Sequence, residues 1–173
     1  VLVAGEPKSI FFEIFFKALK KKIYKSPLVL VCCRRLLLQQ MKKHKFKKVL
    51  KLLKIDKLKN INLDNNSINL IDIKLKKLPN KKDQDRLTKI YINESFNVAF
   101  QLIKNRFTSK FINGPINKKT FLDKKFLGIT EYISKYFKRK KIGMLIYNKK
   151  LSVCPITTHL PIKLVAKKIT KKL

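Results

Sequence analysis

The chain has 173 residues, of which 45% are hydrophobic, with 43 Lys and Arg against 10 Asp and Glu, a formal net charge of +33. That length suffices for one ordinary domain with a core, and that apolar fraction excludes a disordered polyelectrolyte. The charge invites a nucleic-acid reading, but only Arg34, Arg35, Arg86, Arg106 and Arg139 are Arg, and bidentate recognition of phosphates and bases favours the planar guanidinium over Lys.

In chain order, Val1–Ala4 is a strand candidate, followed by the turn Gly5-Glu6-Pro7 and a helix from about Ser9 to Lys22. The stretch Ile10–Leu19 is interrupted by Glu13 and Lys17 and is far too short to span a bilayer. Leu28–Cys32 reads as a second strand, ahead of a helical stretch through Arg35, Leu38 and Met41, and His44 inside Lys42-Lys43-His44-Lys45 reads as solvated surface. Ile68–Ile73 is a third strand, Lys74–Lys82 a Lys- and Asn-rich loop, and Asp83–Asn105 a long helix with Ile90, Phe96, Ala99, Phe100 and Ile103 on one stripe. Phe111-Ile112-Asn113 is a short strand ending at Gly114-Pro115. Gly143–Tyr147 and Leu151–Cys154 suit a β-hairpin joined near Asn148-Lys149-Lys150, and a last helix begins at Pro161. Alternating strands and helices predict an α/β layered architecture.

Cys32 and Cys33 are adjacent and Cys154 stands alone, so neither a disulfide framework nor a zinc spacing can be drawn, which suits a cytoplasmic protein. Lys, Asn, Ile and Phe are abundant together while Gly is reduced to 4, the set that A- and T-rich codons encode. The net charge therefore reads as compositional drift, with nucleic-acid and membrane-surface binding as the lesser alternatives. The Phe11, Phe12, Phe15 and Phe16 pattern favours a core stripe over an aromatic platform for bases. With so few glycines, their positions carry weight: Gly5, Gly114 and Gly128 each fall in a turn beside a helix start, where Gly also lets backbone approach a ligand closely.

The residues flanking those glycines carry a resemblance. Phe111-Ile112-Asn113-Gly114-Pro115-Ile116-Asn117-Lys118 resembles the strand and Gly-Pro-x-x-Lys of the 4-hydroxythreonine-4-phosphate dehydrogenase family. Gly128-Ile129-Thr130-Glu131 is similar to that family's Gly-His-Thr-Glu, and Ile156-Thr157-Thr158-His159-Leu160-Pro161 to its Thr-Thr-His-Leu-Pro. Gly5-Glu6-Pro7, with Ile10 and Glu13, resembles its opening Gly-(Asp/Glu)-Pro-Ala-Gly-Ile-Gly-Pro-Glu, although Lys8-Ser9-Ile10-Phe11-Phe12 stands where the family is small and Gly-rich.

The resemblance implies a three-layer α/β/α fold of the isocitrate/isopropylmalate dehydrogenase type. Residues 1–173 would be its N-terminal portion, a reading that the apolar start at Val1 and the helical pattern running to Leu173 also suggest. It implies NAD- or NADP-dependent oxidation of 4-phosphooxy-L-threonine with loss of carbon dioxide, in pyridoxal phosphate (vitamin B6) biosynthesis. A divalent metal (zinc, magnesium or cobalt) would be held by three histidines, of which His159 matches the first. Thr130 matches a substrate-binding residue and Lys118 a phosphate or active-site contact. The expected partners are a small phosphorylated amino-acid substrate and a second subunit in a homodimer, with no nucleic acid and no membrane. His159 is expected to aim into a cleft shared with Thr130 and the Gly114-Pro115 turn. The other two metal histidines would lie beyond Leu173, leaving these residues alone inactive. Ile129 replaces the family's substrate-binding His and cannot donate a hydrogen bond. That keeps open a sister dehydrogenase of a phosphorylated four-carbon sugar acid, or a catalytically decayed paralogue.

Overall fold

Parallel strand pairing organises the first part of the chain. The computed structural model describes residues 1–76, 81–122, 126, 128–139, 142–157 and 160–169, and the chain divides into two units, Val1–Lys124 and Lys125–Leu173. In the first unit, β1 (Leu2–Val3), β2 (Val29–Cys32), β3 (Leu50–Leu52), β4 (Ile68–Asp72) and β5 (Ile112–Asn113) form one sheet in the order β3-β4-β2-β1-β5. Every pairing is parallel, with Leu2 opposite both Leu30 and Ile112, and Leu30 opposite Leu70. The α/β architecture expected from the alternating pattern is thus present, as is each of the four strands expected in this unit. The unforeseen strand is β3, a three-residue edge segment.

Side-chain alternation along the strands supplies two buried faces. Leu30, Cys32, Ile68 and Leu70 point to one face and meet α1 (Phe11–Lys21) and α2 (Arg34–Lys43) through Phe11, Phe12, Phe15, Phe16, Leu37 and Met41. The four Phe are buried as the stripe predicts, each burial contributing about 1.5–3 kcal/mol. Val3, Val31 and Ile71 alternate to the opposite face, against which α3 (Lys81–Lys104) packs.

Four expectations about this unit need correction. The helix after β1 begins at Phe11, because Ser9 stays outside and its hydroxyl accepts the Phe11 amide at 3.3 Å. On α3, Phe96, Ala99 and Phe100 are fully buried but Ile90 is 45% exposed, and Tyr91 takes the inward position. The reason is polar: the Tyr91 hydroxyl accepts the buried Cys33 amide at 3.1 Å, a partner Ile could not provide. Burial raises the Tyr91 phenol far above its ordinary value. Finally, His44 is half-buried, with its ring 5.8 Å from that of Phe16 at the end of α2. The α3 helix also starts at Lys81, inside the expected Lys74–Lys82 loop.

Helix ends explain part of the glycine economy. After α2, Lys45 adopts φ 47°, with the Lys45 amide bonded to Lys42 and the Phe46 amide to Met41. Arg106 (φ 56°) after α3 and Lys138 (φ 52°) in the second unit repeat the pattern. Glycine is the usual residue at this left-handed position. Here Lys or Arg takes it, at a cost of about 1–2 kcal/mol each.

The second unit contains α5 (Ile129–Tyr136) and α6 (Ile162–Lys168), the latter preceded by Pro161 as expected. The predicted hairpin is reduced, among the described residues, to one antiparallel bridge between Ile146 and Val153, and Asn148 accepts the Lys150 amide at its tip. No helix among the described residues is long and apolar enough to cross a membrane.

Candidate functional site

The chain leaves β1 for β2 on one side and returns to β1 at β5 on the other. The helix after β1 packs on the face of Leu30 and Leu70, whereas the turn after β5 packs against α3 on the opposite face, so the chain diverges from the carboxyl ends of these neighbouring strands, the position at which open α/β sheets form ligand crevices. Two glycines let the loops after these strands touch. Gly5 has φ +74°, and a Cβ there would lie 2.3 Å from the Pro115 carbonyl oxygen. A Cβ on Gly114 would lie 2.1 Å from the Ala4 carbonyl oxygen and 2.7 Å from the Phe11 ring. Left-handed backbone alone is taken by Lys45 and Arg106, so at Gly5 and Gly114 it is crowding that requires the missing side chain.

Hydrogen bonds lock the two loops. The Gly114 amide donates to the Val3 carbonyl at 2.7 Å, and the Glu6 amide to the Pro115 carbonyl at 2.8 Å. The Asn117 amide donates to Glu6 Oε1 at 3.3 Å. Burial raises the Glu6 carboxyl above its ordinary value, the Asn117 bond opposes that, and Asp85 adds a further upward push. Sequence reasoning did not assign Glu6 a role; its place directly after Gly5, in the opening motif, was the available signal.

Asn117 also turns the chain into α4 (Lys118–Phe121), its Oδ1 accepting the Lys119 amide at 3.1 Å. Lys118, the first residue of that turn, is exposed, and no carboxylate among the described residues pairs with it. The structure thus brings the opening motif and Gly-Pro-x-x-Lys together on adjacent strands, with Lys118 beside them.

Within the second unit, Gly128 is the residue before α5 and has extended backbone, and the Tyr132 amide returns to its carbonyl at 3.3 Å. Thr130 sits half-buried in the first turn of α5, next to half-buried Ile129. Thr158 and His159 lie outside the described residues. Among the described residues no group of three His, Cys, Asp or Glu side chains is placed to hold a metal ion. Cys32 and Cys33 are buried free thiols and Cys154 an exposed one.

A family model described as pyridoxal phosphate biosynthetic protein PdxA matches residues 24–173. This chain belongs to the PdxA family. It is 28% identical to the 4-hydroxythreonine-4-phosphate dehydrogenase of Sulfurihydrogenibium sp. (strain YO3AOP1), over 99% of the chain and 52% of that relative. It is also 28% identical to the enzyme of the same name from Wigglesworthia glossinidia brevipalpis, over 96% of the chain and 50% of the relative. Solved structures titled 4-hydroxythreonine-4-phosphate dehydrogenase share the fold: one from Burkholderia phymatum at TM-score 0.76 and 17% identity, covering 97% of this chain and 52% of that one. Another, from Klebsiella pneumoniae, aligns at TM-score 0.75 and 20% identity, covering 99% and 53%. The PdxA-family chain therefore spans about half the length of the relatives it matches. Its α/β fold is the one those solved structures share.

Proposed function

We propose that this chain forms the N-terminal part of a dehydrogenase of pyridoxal phosphate biosynthesis that oxidises 4-phosphooxy-L-threonine with NAD or NADP, the oxidised product losing carbon dioxide. The carrying observation is the junction of the Gly5-Glu6-Pro7 and Gly114–Lys118 loops at the diverging ends of β1 and β5, in a chain that the PdxA model matches over residues 24–173. In this reading the joined loops form one wall of the substrate crevice. Lys118, cationic and paired with no carboxylate among the described residues, neutralises anionic charge on the phosphorylated substrate. Thr130, held in the first turn of α5, offers its hydroxyl as a hydrogen-bond partner.

A divalent ion bound in such an enzyme would supply Lewis acidity for developing oxyanion charge. His159 is the residue of this chain proposed to ligate it; the described residues provide no further ligand set, so no step is derived through the metal. A homodimer in the cytoplasm, with Cys32, Cys33 and Cys154 as free thiols, completes the proposal. Ile129 keeps one second reading open: it stands where the resemblance places a substrate-binding histidine, so the contact to substrate differs, and a dehydrogenase of a phosphorylated four-carbon sugar acid is the alternative. The test is nicotinamide reduction by the protein produced from its complete reading frame, supplied with a divalent metal and either substrate. Turnover of 4-phosphooxy-L-threonine supports the proposal; turnover of the sugar acid alone favours the second reading, and turnover of neither overturns both.

A further inference from the structure

Glu6 is held through its amide, its carbonyl and its side chain. Its carbonyl accepts the Ser9 amide at 3.1 Å, which closes the turn after β1. Its amide donates to the Pro115 carbonyl at 2.8 Å, and its Oε1 accepts the Asn117 amide at 3.3 Å. The two bonds to the second loop bracket Ile116, so a single residue grips that loop on both sides, the carboxylate reaching across 111 positions of sequence.

What this grip fixes is the entry to α4. The exit of that turn is anchored in the core: the Phe121 amide returns to the Asn117 carbonyl at 2.9 Å, the Leu122 amide to the Lys118 carbonyl at 3.1 Å, and both side chains are buried. The Phe121 ring lies 5.4 Å from that of Phe96 on α3. The entry has no such anchor in apolar burial, since Pro115, Asn117 and Lys118 are exposed and Ile116 is half-buried. Hydrogen bonds must order it, and a bond to an ionised acceptor is the stronger kind. Burial raises the Glu6 carboxyl, which marks a place partly shielded from water, where such a bond weighs more. Asn117 Oδ1 in turn accepts the Lys119 amide at 3.1 Å, so the residues on either side of Lys118 are both pinned. Consecutive Cα atoms lie about 3.8 Å apart on a stiff peptide, and a shift at Asn117 is therefore passed to Lys118.

We propose that Glu6 is a positioning residue, which by holding the Asn117 amide aims Lys118 at the anionic group of the substrate. The inference rests on the role proposed above for Lys118, and a double-mutant cycle separates the two. KM and kcat for 4-phosphooxy-L-threonine are measured by nicotinamide reduction on Glu6→Gln, Glu6→Met, Lys118→Ala and Glu6→Met/Lys118→Ala, each produced from the complete reading frame. Gln keeps an oxygen acceptor, whereas Met has similar length and no oxygen. Glu6→Ala is carried beside Glu6→Met, and circular dichroism checks that each variant folds. The expected result is that Glu6→Met raises KM roughly five-fold or more with a smaller effect on kcat, that Glu6→Gln stays within about two-fold, and that Glu6→Met changes KM less than about two-fold once Lys118 is Ala. A raised KM in Lys118→Ala with none in Glu6→Met, or the same increase from Glu6→Met in both backgrounds, overturns the positioning role and leaves that of Lys118 standing. An unchanged KM in Lys118→Ala overturns both. Failure of Glu6→Met and Glu6→Ala to fold, with Glu6→Gln folded, would make the contact a structural one and also overturn the proposal.

Discussion

Replacing Gly114 with Ala tests whether the crevice wall depends on the absence of one side chain. The added methyl would sit 2.1 Å from the Ala4 oxygen, 2.8 Å from the Ala4 carbonyl carbon and 2.7 Å from a Phe11 ring carbon. Two of those three atoms are backbone, so the loops after β1 and β5 must separate by more than 1 Å to reach ordinary contact, which begins at 3.4 Å. Overpacking of this kind costs about 1–3 kcal/mol. A shift of that size also stretches the 2.8 Å bond from the Glu6 amide to Pro115 beyond hydrogen-bond range, at a further cost of about 0.5–1.5 kcal/mol. The expected loss is about 2–4 kcal/mol, read from urea denaturation of Gly114→Ala against the unaltered chain. Gly143→Ala is the control, since nothing lies within 4 Å of a Cβ there, and it should stay within about 0.5 kcal/mol. If Gly114→Ala costs less than about 1 kcal/mol, or no more than Gly143→Ala, the close approach of the two loops is not a built constraint.

Two further predictions concern polar groups. Tyr91→Phe leaves the buried Cys33 amide without its acceptor and should destabilise the chain by about 1–3 kcal/mol in chemical denaturation; a loss below about 0.5 kcal/mol would mean that the amide finds another partner. For Glu6, burial raises the carboxyl, so the folded state binds its proton more readily than the unfolded state does. Its ionisation therefore works against folding above the raised value, and this handicap disappears as pH falls through that value toward the ordinary one of 4.5. Glu6→Gln keeps an oxygen acceptor for Asn117 and should gain stability relative to the unaltered chain at neutral pH, the gain shrinking across that acidic window. A gain that grows on acidification would reverse the sign and contradict the assignment.

Much of the fold was legible because burial imposes periodicity. The fully buried run Val29–Cys32 and the Phe stripe of α1 could hardly be anything but a central strand and a core helix face. Leu50-Lys51-Leu52 was not legible: β3 is an edge strand of three residues, defined by its register on Ile68–Leu70 rather than by its own pattern. Ile90 and Tyr91 are both compatible with one helical stripe, and only the distant Cys33 amide decides between them. At the site, the turn-forming role of Gly5 and Gly114 was visible in the sequence. Their mutual crowding was not, because it arises only when β5 pairs with β1 across more than 100 intervening residues. Glu6 went unassigned for the same reason, its acceptor role being created by Asn117.

The most direct test is a kinetic comparison of Lys118→Ala with the unaltered protein, both produced from the complete reading frame and assayed by nicotinamide reduction with 4-phosphooxy-L-threonine. Lys118 is exposed, so the melting temperature should not change. Loss of a charged contact to substrate should raise KM by roughly ten-fold or more, with a smaller effect on kcat. An unchanged KM in a folded, active variant would show that the crevice beside Gly5 and Gly114 does not hold the phosphorylated substrate.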